Sequence, residues 1–252
     1  VVTSFHLNQV APQQEAVRAA IAAGADGIVT TTPDPGSMID MASEAQAAGI
    51  PIVNFNTPCP ECGYDGYVGT NNTDVGRQWA QFLVDGGYVS EGDHVWMPVE
   101  VPGATYQVHE TEGVASVFDP LGITYEVHDA TYEPATVIDA MVSYLTANQG
   151  DIDAMIGLGD LVTGSVARVW DQVGVAPGDI PVVGWGNSGD TAQAMLDGYI
   201  LAGMWQDPGL TSYLALSEAA AMASGVQIHE YLEMGRMYTP DEAESYLKAM
   251  GG

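Results

Sequence analysis

The 252 residues are 46 % apolar, enough to give one large or two modest domains a core of their own. Thirty-three acidic residues stand against five basic ones for a formal net charge of −28, a field that repels nucleic acid and anionic bilayers and excludes both as partners. Only four arginines (Arg18, Arg77, Arg168, Arg236) are available for bidentate grip on an anion, which disfavours an anionic ligand, and the acid excess reads as a surface suited to high salt, where self-repulsion is screened.

Taken in chain order, short β-rich runs alternate with amphipathic stretches of helical period, the βαβ signature. VVTSF at 1–5 reads as a strand, followed by a helix over about 12–23 and a strand in DGIVTTT at 26–32. A helix over about 36–48 ends at Gly49 before the strand PIVNF at 51–55. After a stretch holding Cys59 and Cys62 come YVGTNN and a helix near 74–86. A second series opens with HVWMPVE at 94–100, then a helix over 105–118, the strand ITYEVHD at 123–129 and a helix near 134–147. DIDAMIGLGD at 151–160 leads into a helix over 162–173, DIPVVGWGN at 179–187 into one over 190–196, and YILAGM at 199–204 closes the run. An Ala-rich helix at 209–224, an extended stretch at 226–236 and a last helix follow. That last helix is signalled by Thr239 as N-cap, Pro240 at its first position and Glu242 three beyond the cap.

The fold class is therefore α/β, as two doubly wound parallel-sheet lobes. Ligands of such sheets meet the carboxyl ends of the strands. Here those ends read Thr31 and Thr32, Asn56 and Thr57, 101–105, 130–132, Gly159 and Asp160, Gly186 and Asn187, and Trp205 and Gln206. Amides, hydroxyls and aromatics suit a neutral polar molecule gripped by hydrogen bonds and ring faces.

The ordered phrases GADGIVTTTPDP, AGIPIVNFNT, YVGTNNTDVGRQWAQFL, DIDAMIGLGD and GDIPVVGWGNS followed by YILAGMWQDP cover nearly all of residues 1–236. Together they resemble the ribose/galactose-type periplasmic binding proteins, the sugar-binding components of ABC importers, whose fold is shared with LacI-type repressors. The resemblance implies a type I periplasmic-binding-protein fold with a three-segment hinge. It places lobe 1 at 1–92 plus 207–232 and lobe 2 at 93–206 plus 233–252, with crossings near 92–94, 206–208 and 230–236 and a ligand cleft between the lobes. It also implies an upstream strand and helix, about 30–40 residues, that would add to the site.

Against that family's pentose-binding pattern, Asn56 and Thr57 stand where Asp-Arg is usual. Val108 replaces an Arg, Gly159 an Asn and Gly186 an Asp, while Tyr132 and Gln206 keep an aromatic and a Gln. The resemblance thus implies a pocket with charge removed and its aromatic and amide parts retained.

Residue by residue, two readings stand side by side. Asn56 can contact ligand through an amide that donates and accepts, or organise the Asn-Thr-Pro turn. Gln206 is a ligand candidate, and Trp205 either a ligand contact or core. Tyr132 and Tyr106 can stack on a sugar face, with interfacial filling the alternative for Tyr106. Asp160 can cap the helix it precedes, bind a ligand hydroxyl, or both. Asn187 occupies the same kind of position, and Trp185 reads at least as well as core. Cys59 and Cys62 fit a local disulfide pinning a loop at the cleft mouth, or free thiols. A structural zinc site would need more ligands than these two. The five histidines, His6, His94, His109, His128 and His229, form no spaced cluster, and no phosphate loop, dinucleotide fingerprint or nucleophile elbow is present. No metal or cofactor is expected.

The implied function is an extracytoplasmic substrate-binding protein of an ABC importer. It would be a monomer, periplasmic or extracellular, lipid-anchored through upstream residues, passing a small neutral sugar or polyol to a membrane permease. The alternatives are a ligand receptor for a membrane sensor, a LacI-like effector domain, and a sugar-modifying enzyme. The last would need two titratable groups converging on one substrate; the strand ends supply only Asp160 with scattered helix carboxylates, and His109 and Glu110 could act as acid and base but have no nucleophile beside them.

Overall fold

The computed structural model describes residues 1–5, 9–32, 34–226, 228, 231–233 and 235–249. In chain order these form α1 (Val10–Ala22), β1 (Ile28–Thr30), α2 (Pro35–Ala47), β2 (Ile52–Asn56), β3 (Gly66–Gly69) and α3 (Asn72–Asp85). Then come β4 (His94–Val99), α4 (Thr105–Phe118), β5 (Thr124–Asp129), α5 (Val137–Asn148), β6 (Ala154–Gly157), α6 (Asp160–Gly164) and α7 (Val166–Val173). The chain continues with β7 (Val182–Trp185), α8 (Gly189–Leu196), β8 (Ala202–Trp205), α9 (Pro208–Ala223), β9 (Tyr231–Glu233), β10 (Arg236–Tyr238) and α10 (Pro240–Ala249). They divide into two units, residues 1–71, 104–106 and 207–234 in one and 72–103, 107–206 and 235–252 in the other.

The first unit carries a parallel sheet in the order β1-β2-β3-β9. Alternation along β2 sends Ile52 to one face and Val53 to the other. Ile52 joins Ile28 against Val17 of α1 and Met38, Met41 and Ala45 of α2. Val53 joins Val68 against Ala215 and Ala219 of α9. Helices therefore cover both faces, as a parallel sheet requires. The helix starts follow from their sequences: Asp34 accepts from Ser37 N at 2.8 Å before Pro35, and Asp207 accepts from Leu210 N at 2.9 Å before Pro208.

The second unit carries six strands in the order β10-β8-β7-β6-β4-β5, parallel except for β10 against β8. On one face Trp96, Met155 and Val182 pack with Met141, Leu145, Val162, Trp170, Met195 and Ala243. On the other lies α3, whose Trp79 meets Trp185 of β7 edge to face at 5.8 Å. α3 and α4 cross at two glycines: a Cβ at Gly76 would stand 2.0 Å from the Glu110 carbonyl oxygen, and one at Gly113 2.0 Å from that of Thr73.

Three expectations change. VVTSF is not a strand; Val1, Val2 and Phe5 are almost fully exposed and unpaired, because β-propensity without a neighbouring strand does not order a segment. The helix expected over 162–173 is two. Ser165 donates its hydroxyl to Leu161 O at 2.8 Å and its N–H reaches Val162 O at 3.3 Å, a local bonding pattern that competes with the helical ladder. α3, placed before the expected first crossing near 92–94, groups with the second unit, where it packs backbone to backbone on α4. The extended stretch at 226–236 splits, β9 joining the first sheet and β10 the second. His6, His229, Glu230 and Met234, the last two on the third expected crossing, lie outside the described residues.

Candidate functional site

In the first unit the strand ends are built from hydroxyls and amides. Buried Gln13 of α1 donates to Thr30 Oγ1 at 2.7 Å and Thr31 O at 2.6 Å, fixing the end of β1. Thr32 is buried, its hydroxyl 3.0 Å from the Tyr64 hydroxyl and 3.3 Å from Asn54 Oδ1. Burial pushes the Tyr64 phenol up to about 12. Asn54 braces the following turn, donating to Thr57 O at 2.7 Å while Thr57 N reaches Phe55 O at 2.9 Å. Asn56 takes φ 69°, a left-handed conformation that Asn tolerates better than most residues, and its side chain is exposed. The Tyr67 hydroxyl holds that bend at Asn56 O, 3.1 Å away.

Cys59 and Cys62 are joined as a disulfide with Cα atoms 5.4 Å apart. Both are buried in the cluster of Met38, Met41 and Ile52, so the bridge fastens the single 3-10 turn Pro60–Cys62 to α2 inside the apolar core. The expected disulfide is present, with both cysteines packed in the apolar core.

In the second unit three adjacent strand ends are tied together. Asp160, after β6, accepts from Asn187 N at 2.8 Å and from the Thr191 hydroxyl at 3.3 Å. Asn187, after β7, accepts through Oδ1 from Gln206 N at 2.9 Å, and Gln206, after β8, is buried. Ser188 caps α8 through Thr191 N. Asp160 therefore serves the β7–α8 loop, while the start of α6 is capped by Glu100, whose Oε1 accepts from Leu161 N at 2.6 Å. Burial raises both carboxyls above their ordinary range, against the lowering effect of these hydrogen bonds.

The two glycines that replace polar residues of the family pattern have their space filled from elsewhere. A Cβ at Gly159 would stand 2.4 Å from the Glu100 carboxylate, and one at Gly186 2.7 Å from the ring of Tyr238, whose hydroxyl donates to Gly186 O at 2.9 Å. The carboxyl group of Glu100, the residue after β4, stands at this strand end. Glu100 closes the run HVWMPVE at a strand's carboxyl end, which was the available signal, but that a residue 61 positions from Leu161 caps its helix is a tertiary fact.

Tyr132 is exposed, just after Thr131 at φ 61°. Trp205 sits edge-on to Tyr246 of α10 at 5.4 Å, partly buried against the core. Tyr106, second residue of α4, is half-buried and groups with the first unit. Trp185 is core, its indole N–H donating to Glu110 Oε1 at 3.0 Å. Glu110 is fully buried and also accepts from Asn72 Nδ2 at 2.8 Å, so it is not placed as a solvent-facing acid or base beside half-buried His109. Among the described residues no group of three or more His, Cys, Asp or Glu is placed to hold a metal ion, and no helix is long and apolar enough to cross a membrane.

Residues 1–227 match the periplasmic binding protein domain family. The chain belongs to that family. This family member is 25 % identical over 215 residues to the xylose/arabinose-binding protein of Sulfolobus acidocaldarius, a match covering 79 % of this chain and 52 % of the relative. It thus spans about half the length of the curated relative it matches. Among solved structures it is similar to an ABC transporter solute binding protein from Burkholderia graminis C4D1M in complex with D-arabinose. There the TM-score is 0.85 at 22 % identity, covering 94 % of this chain and 83 % of that one. A periplasmic solute binding protein of an ABC transporter from Actinobacillus succinogenes 130z with bound D-allose gives TM-score 0.84 at 20 % identity, covering 98 % and 88 %. The fold of this periplasmic binding protein domain is accordingly the type I arrangement, two α/β units with parallel sheets.

Proposed function

We propose that the chain is the solute-capturing component of an ABC importer: it binds a small neutral sugar or polyol outside the cytoplasm and passes it to a membrane permease without altering it. The observation that carries this reading is the hydrogen-bonded row Asp160–Asn187–Gln206 across three neighbouring strand ends, in a member of the periplasmic binding protein family. Such a row can offer acceptors and an amide to sugar hydroxyls. Asn56 and Thr57 of the first unit, with Tyr106, Tyr132 and Trp205 as ring faces, complete the proposed contact set. The relatives support the ligand class: a xylose/arabinose-binding protein, and structures holding D-arabinose and D-allose. A disulfide accords with an oxidising compartment. Tethering to the membrane surface by a lipid belongs to the same proposal.

The test is a thermal-shift panel of neutral pentoses, hexoses, polyols and nucleosides in high salt, followed by recovery of the solute. A solute that binds only the native state adds about 2.7 kcal/mol at a hundred times its Kd. We expect a clear rise in Tm confined to one sugar or polyol class, with the solute recovered unchanged. No rise with any sugar or polyol overturns the ligand class, and chemical conversion of the solute overturns the transport reading in favour of an enzyme.

A further inference from the structure

Four neighbouring strands of the second unit, β4, β6, β7 and β8, end side by side. Their backbone ladder reaches Leu158 N to Pro98 O at 3.0 Å between β4 and β6, and Gly186 N to Met204 O at 2.9 Å between β7 and β8. Past those bonds side chains tie the segments, each accepting from a backbone N–H beyond the next strand. Glu100 Oε1, after β4, accepts from Leu161 N at 2.6 Å, after β6. Asp160, the residue before Leu161, accepts from Asn187 N at 2.8 Å, after β7. Asn187 Oδ1 in turn accepts from Gln206 N at 2.9 Å, after β8. The three bonds join residues 61, 27 and 19 positions apart, so none of them follows from local chain geometry.

Glu100 starts this series, and the chain makes room for it. Gly159 has extended backbone, φ −177° and ψ 155°, which any residue can adopt, so conformation does not call for a glycine there. Space does: a Cβ at 159 would stand 2.4 Å from the Glu100 carboxylate. The carboxylate thus passes over Gly159 to the start of α6, where a helix has N–H groups in need of an acceptor. Fixing Leu161 N also fixes its neighbour Asp160, because the two residues share a planar peptide unit. The Thr191 hydroxyl donates to the same Asp160 oxygen at 3.3 Å, so the setting of Asp160 reaches α8 as well. All five basic side chains are paired with other acids at the surface, and among the described residues no ion pair includes Glu100. A backbone N–H, and not a cation, holds this carboxylate.

We propose that Glu100 is a positioning residue for solute capture: by holding Leu161 it sets Asp160, through Asp160 the Asn187 loop, and through Asn187 the Gln206 strand end. The proposal rests on the solute-capture reading above, in which Asp160, Asn187 and Gln206 meet the solute and Glu100 acts through them. What the role needs is an acceptor oxygen over Gly159. Glutamine keeps one at the same reach, whereas alanine takes this acceptor away from the Leu161 N–H. A methyl group at 159 has the same effect by another route, since the carboxylate is the tip of a flexible side chain and swings aside.

The experiment compares the full chain as wild type, Glu100→Ala, Glu100→Gln, Gly159→Ala and the double variant Glu100→Ala with Gly159→Ala. Asp179→Ala is the control for lost stability alone: Asp179 Oδ2 accepts from Ala176 N at 3.1 Å ahead of β7, away from the carboxyl end of that strand. Two readouts are taken. One is the backbone amide resonances of Leu161, Asn187 and Gln206 without solute, and the other is calorimetric affinity for D-xylose, D-arabinose and D-allose. We expect Glu100→Ala and Gly159→Ala each to move all three amide resonances and to weaken binding of the responding sugar about tenfold. Glu100→Gln should stay within about threefold of wild type. The double variant should bind like Glu100→Ala, since both changes break one and the same bond. Asp179→Ala should lower Tm and leave affinity unchanged. Asn187 and Gln206 amides that stay fixed in Glu100→Ala, additive losses in the double variant, no rescue by glutamine, or an equal loss of affinity in Asp179→Ala would each overturn the proposal. If none of the three sugars binds, the positioning role falls with the capture reading; the amides, measured without solute, then show separately whether Glu100 sets the Gln206 strand end.

Discussion

Asp160, Asn187 and Gln206 each finish a different strand, yet they form one chain of contacts because side chain and backbone alternate as partners. The Gln206 backbone N–H is held by Asn187 Oδ1. Truncating its side chain leaves that backbone bond in place. Gln206→Ala is expected to weaken binding of the responding sugar by about 1–3 kcal/mol, the cost of leaving a buried partner unpaired. Calorimetry giving an unchanged affinity would take the Gln206 side chain out of the site. These three residues were legible in the sequence because each follows an apolar run at a strand's carboxyl end. Glu100, Asn54 and Tyr64 were not legible as strand-end partners, because their roles arise only when distant segments meet: Glu100 with Leu161, Tyr64 with Thr32. Asp160 shows the complementary limit. Its place before a helix suggested a cap for that helix, and its carboxylate instead serves the loop after β7.

At the scale of elements, most of the helix and strand sequence follows from period alone, and boundaries differ by a few residues where a cap decides them. What period does not carry is which unit a helix joins. α3 reads as the last helix of the first series, and it groups with the second unit because Gly76 and Gly113 let two backbones touch. This contact predicts a specific weakness. A methyl group at 113 would lie 2.0 Å from Thr73 O, a backbone atom that cannot step aside as a side-chain tip could. Gly113→Ala should therefore lower stability by about 1–3 kcal/mol even though alanine is the better helix former. Gly150→Ala, where nothing lies within 4 Å of the added carbon, is the control. Urea unfolding midpoints decide it, and an unchanged midpoint for Gly113→Ala would mean that the helices cross less closely than this. The failure of VVTSF to form a strand has the same lesson. An apolar β-rich run specifies what a segment can become, and pairing decides whether it does.

For the whole molecule, two acidic populations set the response to pH and salt. The surface holds most of the −28 charge, and its self-repulsion acts over a Debye length that falls from about 8 Å at physiological salt to about 3 Å at 1 M. The buried population is Glu100, Glu110 and Asp160, each raised by burial. Because the native state binds these protons more tightly than the unfolded chain, stability falls as pH rises from the ordinary carboxyl range through the raised native values. Opposed to them are Glu44 and Glu244, lowered through hydrogen bonds to Arg18 and Lys248, and Asp74, where burial acts upward but is outweighed by hydrogen bonds from Arg77 and Gln78 and by the Arg77 charge. Their small stabilisation is lost only as pH drops below the ordinary range. The Tm should therefore be higher near pH 5 than near pH 7.5, and adding about 2 M NaCl should raise it more at the higher pH, where the surface is most fully charged. Salt separates the causes, since it screens exposed charges strongly and buried ones weakly. The part of the pH slope that survives at high salt belongs to the buried acids, and Glu110→Gln should reduce it. Equal Tm values at the two pH values in high salt would mean that the native state does not hold these protons more tightly than the unfolded chain.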